Sequence, residues 1–227
     1  MLRKINEVIY GEASGDSFGH SVSISSDGNI IAISAPNNEG ALTKVSGTIG
    51  NTYQFTVTNE TAVYYQTNGN PGWSFDPPSS TDFKPAHKKI GINPGSVKVF
   101  QNRNGEWVQL GNEILGNSLM DQIGVSLSLS ADGQTLAVGN PLSITHKNNN
   151  YDFSSPHVAV YKLVNGEWSK IGNDIFSDKP NHFSYFGYST SLSADGNILA
   201  VGGFYGDLGV NSNQGFVKIY ENKSGSF

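Results

Sequence analysis

Gly19-His-Ser-Val-Ser-Ile-Ser-Ser-Asp-Gly-Asn-Ile-Ile-Ala-Ile-Ser34 decides the fold, because the chain contains it three times. It returns without a gap as Gly124-Val-Ser-Leu-Ser-Leu-Ser-Ala-Asp-Gly-Gln-Thr-Leu-Ala-Val-Gly139 and as Gly187-Tyr-Ser-Thr-Ser-Leu-Ser-Ala-Asp-Gly-Asn-Ile-Leu-Ala-Val-Gly202. Each copy reads as a β-hairpin: an alternating strand, a turn, and a second strand apolar on both faces, as a fully buried strand is. Asp-Gly at the turn predicts a two-residue type I′ loop, with positive φ at both residues. Val22 and Ile24 alternate with Ser21, Ser23 and Ser25, and all three copies keep serine on that second face. Small hydroxyl residues there, in place of long charged ones, predict a sheet packed closely on both sides.

A second shared block follows each hairpin. Gly95-Ser-Val-Lys-Val-Phe-Gln-Asn-Arg-Asn-Gly-Glu-Trp107, Pro156-His-Val-Ala-Val-Tyr-Lys-Leu-Val-Asn-Gly-Glu-Trp168 and Gly215-Phe-Val-Lys-Ile-Tyr-Glu-Asn-Lys-Ser-Gly-Ser-Phe227 align with one another. Each predicts a third strand, a tight turn and the start of a fourth, which continues to Gly116 in the first copy and Ser177 in the second. The third copy reaches only Phe227, whereas Leu2 to Gly11 matches the fourth strand, with Ile5 opposite Leu110 and Ile171. Residues 2–10 are therefore expected beside the last strand of the third unit, in the same or a neighbouring chain. The expected organisation is one repeat domain: 1–11 a closing strand, 12–116 the first blade with an insertion at about 38–94, 117–177 the second, and 178–227 the third. The recurring aromatics Phe100, Tyr161 and Tyr220, and Trp107, Trp168 and Phe227, are read as wedges between neighbouring sheets.

The copies differ between their second and third strands. Pro141 to Pro156 is 15 positions, but Pro36 to Gly95 is 59, an insertion of about 44 residues. Lys44 to Thr58 and Ala62 to Gln66 predict two or three further strands, and Asn70 to Pro78 a loop rich in turn residues. A long insertion on one connection of a repeat scaffold is usually a contact element. Trp73, Phe75, Tyr64 and Tyr65 are its candidate ligand-binding residues, for sugar rings or a partner protein; a small core of the insertion's own is the competing reading.

Composition narrows the classes. With 27 Gly and 15% charged residues the chain suits an all-β protein with many turns. A net charge of −5 without a basic cluster gives no footprint for nucleic acid. The absence of cysteine rules out disulfides and thiolate metal sites. No apolar run approaches the roughly 20 residues of a membrane span, and Met1-Leu-Arg-Lys-Ile lacks the apolar region of a signal peptide. His20, His87, His146, His157 and His182 show no zinc-ligand spacing. Gly19-His-Ser-Val-Ser23 lacks the final glycine and helix of a nucleophile elbow, and Ser21 has counterparts in Ser126 and Ser189, which favours packing. Glu12 with Asp16, and Asp76 with Asp82, are carboxylate pairs for which solvated loop charges are the simpler reading.

These blocks resemble the FG-GAP-like repeat, the β-propeller blade of integrin α-subunits and of large surface proteins of marine bacteria and their viruses. Phe18-Gly19, Ile123-Gly124 and Phe186-Gly187 stand for the first half of the motif. Ser34-Ala35-Pro36 stands for the second, degraded to Gly139-Asn140-Pro141 and Gly202-Gly203-Phe204. The resemblance covers the chain outside the insertion. It implies three four-stranded antiparallel propeller-type blades. Calcium-binding members carry several Asp or Asn residues in the hairpin loop; one carboxylate per hairpin cannot supply the roughly six to eight oxygens calcium takes, so no metal and no other cofactor is expected. Propellers typically have about 4–8 blades. Three blades imply two chains in a six-bladed ring, a piece of a larger protein, or a threefold β-prism or β-trefoil. The function expected is a non-enzymatic scaffold for surface attachment or particle assembly, on a virion or extracellular surface (alternatively in the cytoplasm), working as a homo-oligomer or larger assembly, with a glycan or protein partner on the insertion. The rival class is a glycan hydrolase or lyase acting at the mouth of a central channel.

Overall fold

The computed structural model describes residues 8–38, 43–46, 53–57, 60–67, 70–74, 94–116, 121–142, 145–147, 150–152, 156–177, 184–204, 214–223, 225 and 227. Among them the protein is all-β, without a helix, and every strand pairing is antiparallel. The first repeat contributes β1 (Val22–Ile24) and β2 (Ile30–Ala35). Its insertion forms β3 (Thr43–Ser46), β4 (Tyr53–Val57), β5 (Glu60–Thr67) and β6 (Asn70–Ser74). The repeat resumes with β7 (Ser96–Arg103), β8 (Glu106–Gln109) and β9 (Ile114–Leu115). The second comprises β10 (Ser126–Leu129), β11 (Thr135–Asn140), β12 (Thr145–Lys147), β13 (Asn150–Asp152), β14 (His157–Val164), β15 (Glu167–Lys170) and β16 (Ile175–Phe176). The third has β17 (Ser189–Leu192), β18 (Ile198–Gly203) and β19 (Phe216–Glu221).

Sheet one runs β1-β2-β7-β8 and sheet two β10-β11-β14-β15, with β9 and β16 pairing back onto β7 and β14; sheet three is β17-β18-β19. The shared sequence blocks therefore build the same three-strand core three times, and in the first two repeats further strands extend it. The insertion is a separate sheet, β3-β4-β5-β6, and the matching connection of the second repeat carries the ribbon β12-β13.

Three expectations meet different local physics. The Asp-Gly turns are not type I′. Gly28, Gly133 and Gly196 take φ of 73°, 67° and 71°, whereas Asp27, Asp132 and Asp195 are not among the positive-φ residues. Each aspartate instead accepts local donors: Asp27 Oδ1 takes the Ser25 hydroxyl at 2.6 Å and the Asn29 N–H at 2.9 Å. Ser25 Oγ accepts the Ile30 N–H at 2.9 Å, closing a four-residue loop in all three copies. The type I′ geometry belongs to the other turn, Asn104-Gly105 (54°, 96°) and Asn165-Gly166 (52°, 84°).

The fourth strand is also not continuous. Phe100 pairs with Gln109 and Val97 with Ile114, so two extra residues bulge out between β8 and β9; the second repeat bulges identically between β15 and β16. Gly111 and Gly172 sit in these bulges at φ of 76° and 68°. The stretch Asn70–Ser74, read as loop, is strand β6. It lies at the edge of its sheet, where Pro71 needs no N–H for a ladder. Residues 1–7 of the expected closing strand lie outside the described residues, and residues 8–10 carry no strand assignment.

The sheets stack with two cores between them. Ala32, Val97, Val99 and Ile114 of sheet one meet Leu127, Leu129, Leu136, Val138 and Trp168 of sheet two. The other side of sheet two offers Ala137, Val158 and Val160 to Phe186, Leu199 and Val201, with Tyr220 and Phe227 packed against them. β11 is thus buried on both faces, as its unbroken apolar run requires. Trp168 is a wedge as expected. Its indole N–H donates to the Leu110 carbonyl at 2.9 Å, and Asn112 Oδ1 accepts the Trp168 backbone N–H at 2.6 Å.

A polar seam runs beside these cores. Ser21 and Ser23 hydroxyls accept the Leu127 and Leu129 N–H groups at 3.1 and 2.9 Å; Ser128 accepts that of Leu192 at 2.8 Å. The Ser126 hydroxyl donates to the Gly187 carbonyl at 2.8 Å. In sheets one and two the serine face is the face turned to the following sheet, whereas Ser189 and Ser191 of sheet three are exposed.

Candidate binding surfaces

The insertion sheet brings together part of the predicted aromatic set. Ser46 lies opposite Tyr53, Tyr53 opposite Tyr64, and Tyr64 opposite Trp73. Tyr53, Tyr64 and Trp73 therefore hold consecutive register positions across β4, β5 and β6. Tyr65 stands opposite Gly72. Phe75 lies outside the described residues, as do Asp76, Asp82, His87 and His182. Sequence reading missed Tyr53 as a member of the row. The signal was the two-residue spacing between Val57 and Glu60, which fixes the register of β4 against β5.

A cavity of about 190 Å³ opens beside sheet one, lined among others by Tyr10, Glu12, Asp16, Phe18, Lys98 and Phe100. Glu12 and Asp16 do meet here, but each has a structural partner. Lys98 forms an ion pair with Glu12 and lies 3.7 Å from Glu113. Asp16, buried, accepts the Asn38 amide at 3.2 Å. Asp121, its counterpart in the second repeat, accepts the Asn140 amide at 3.1 Å. The cavity falls short of the roughly 300 Å³ at which clefts begin to enclose a small-molecule ligand.

The remaining candidates are absorbed by the fold. Ser21 and Ser126 are the seam hydroxyls, so their acceptor and donor capacity goes to the neighbouring sheet's backbone. Burial, with the Asp174 and Asp121 carboxylates adding to it, pushes the Tyr161 phenol well above its ordinary value, so it stays neutral in the packing. Asp27 is held down at about 2 by the Ser25 and Asn29 hydrogen bonds, and Asp195 is lowered by the equivalent bonds from Ser193 and Asn197. Among the described residues no three His, Cys, Asp or Glu side chains cluster as a metal site would need. Among them, too, no helix is long and apolar enough to cross a membrane.

No family model matches the chain, and no curated protein matches it significantly. Among solved structures it is similar to a Bacteroides uniformis protein described as a "putative 6-phosphogluconolactonase" (11% identity, 89% of this chain and 88% of that one, TM-score 0.33). It is also similar to U3-55K (13% identity, 89% and 80%, TM-score 0.28). Likenesses at these scores carry no argument about either activity or fold.

Proposed function

We propose that this protein is a non-enzymatic structural and binding module: an FG-GAP-like, propeller-type scaffold that displays its insertion for attachment or particle assembly on a virion or extracellular surface. The ligand class is a glycan. The observation that carries this reading is the row Tyr53–Tyr64–Trp73, in register across three adjacent strands. Strands lie about 4.8 Å apart, so these three register positions span roughly 10 Å, a length that a short oligosaccharide covers. Aromatic residues give large contact area at low conformational cost and keep a polar edge for hydroxyls.

The rest of the molecule supports a scaffold role by what its polar residues do. The serines of the repeat hold neighbouring sheets together, and its aspartates close its own turns. Variation between repeats is concentrated in the connection from second to third strand, where a binding function tolerates it. A glycan array and a hydrolysis assay on the same panel test the proposal. Binding without turnover is expected, weakened at least tenfold by Tyr64→Ala or Trp73→Ala and unaffected by Tyr65→Ala. Turnover of any bound glycan, or equal loss in all three variants, refutes it.

A further inference from the structure

Among the described residues the two ends of the stack of sheets are open, and they are open in complementary ways. Val97 and Val99 of β7 are 0% exposed, and Val158 and Val160 of β14 are 0% and 1% exposed, because the next sheet covers them. Their counterparts on β19, Val217 and Ile219, are 67% and 73% exposed. Ile30 and Thr135 are 6% and 8% exposed, but the matching Ile198 is 39%. At the opposite end Leu127 and Leu129, each 7% exposed, press onto the preceding sheet, whereas their counterparts Val22 and Ile24 stand at 59% and 56%. Sheet three thus presents the face that receives a following sheet, and sheet one the face that covers a preceding one.

The polar seam is open at the same two places. Ser189 and Ser191 occupy the positions of Ser21 and Ser23 and are exposed. On β1, Ser21 and Ser25 bond β2, through the Ser34 N–H at 3.0 Å and the Ile30 carbonyl at 2.9 Å. Alternation along an antiparallel pair then points the N–H groups of Val22 and Ile24 away from β2. They occupy the positions of the Leu127 and Leu129 N–H groups, which the seam serines accept.

We propose that a second copy of this chain docks head to tail on these faces, β1 of one copy against β17 and β19 of the other, and that the assembly closes at two copies. The contact repeats the chain's own internal seam: Ser189 and Ser191 accept the Val22 and Ile24 N–H groups of the second copy, while Val217, Ile219 and Ile198 are covered as Val97, Val99 and Ile30 are. A heterologous contact of this kind closes into a ring when its rotation permits. Rings of stacked sheets have about four to eight members, and two copies of the three described repeat sheets make six.

The test uses the full chain. Sedimentation equilibrium is expected to give about twice the chain mass of 24.3 kDa across the micromolar range. Ile219→Asp, on a residue already in water, is expected to give a monomer with unchanged circular dichroism. Because the chain has no cysteine, a cross-link then reads the orientation. Ser126 Oγ and Thr190 Oγ1 are 3.1 Å apart across the internal seam, and their counterparts across the new contact are Ser189 and Val22. Val22→Cys mixed with Ser189→Cys is expected to form the mixed disulfide dimer under oxidation, at least tenfold faster than either variant links to itself. A monomer at all concentrations, a mass growing beyond two copies, a dimer indifferent to Ile219→Asp, or preferential self-linking would each overturn the proposal.

Discussion

Replacing Trp168 by Phe separates the two jobs of the inter-sheet wedge. The ring is 4% exposed, and its N–H is the donor to the Leu110 carbonyl at 2.9 Å. Phenylalanine keeps most of the apolar contact but cannot donate. Leaving a partly buried carbonyl without its partner costs about 1–2 kcal/mol, and the smaller ring adds a shortfall in packing of about 0.5–1 kcal/mol. The sum is about 2 kcal/mol, or a fall in Tm of roughly 4–8 °C for a chain of this length. Differential scanning calorimetry measures it, with Trp107→Phe as the control. Trp107 holds the equivalent place in sheet one, is only half-buried, and makes no hydrogen bond among the described residues; its replacement is expected to cost under about 1 kcal/mol. Equal losses in the two variants would mean that the indole hydrogen bond contributes nothing, and the wedge argument would fail.

Two other perturbations bear on the turns and bulges. Gly111→Ala places a methyl 2.9 Å from Trp168 Cδ1 and 3.0 Å from the Gly166 carbonyl at φ 76°, whereas Gly28→Ala, at φ 73°, meets only open space. The first should lower the urea midpoint clearly more than the second, which carries only the backbone strain of about 1 kcal/mol; equal shifts would refute the close approach. For acid, the depressed Asp27 contributes stability above its ordinary value of 3.8 that is lost as pH falls towards about 2. Tm is therefore expected to drop between pH 4 and 2, and less steeply in the Asp27→Asn, Asp195→Asn double variant; an unchanged slope would count against those turns as its source.

The repeat made most of the fold legible, because a hairpin and its partner strands recur with fixed spacing. The Asn104-Gly105 and Asn165-Gly166 loops follow directly from residue type, since both positions tolerate positive φ. Asp27-Gly28 was misleading for a physical reason: the carboxylate found three donors within two residues, and that local bonding displaced the left-handed conformation at Asp27. The bulges at Gly111 and Gly172 were hidden because adding two residues keeps the inside–outside alternation on either side intact. In the first two copies the serine face indicated close packing, but not that its hydroxyls grip the main chain of the neighbouring sheet, accepting N–H groups and, at Ser126, donating to a carbonyl. In the candidate site, Tyr64 and Trp73 were readable as aromatics, but which of them stand opposite one another depended on register, which put Tyr65 opposite Gly72 and added Tyr53.

That grip on main chain has an evolutionary corollary. A hydroxyl that binds an amide asks nothing of the residue to which the amide belongs: Leu127, Leu129 and Leu192 could drift to other apolar types without loosening the bond. Such a joint lets a unit be duplicated beside its parent and work at once, with no matched change needed on either partner. Long arrays of divergent copies are the natural outcome of that freedom.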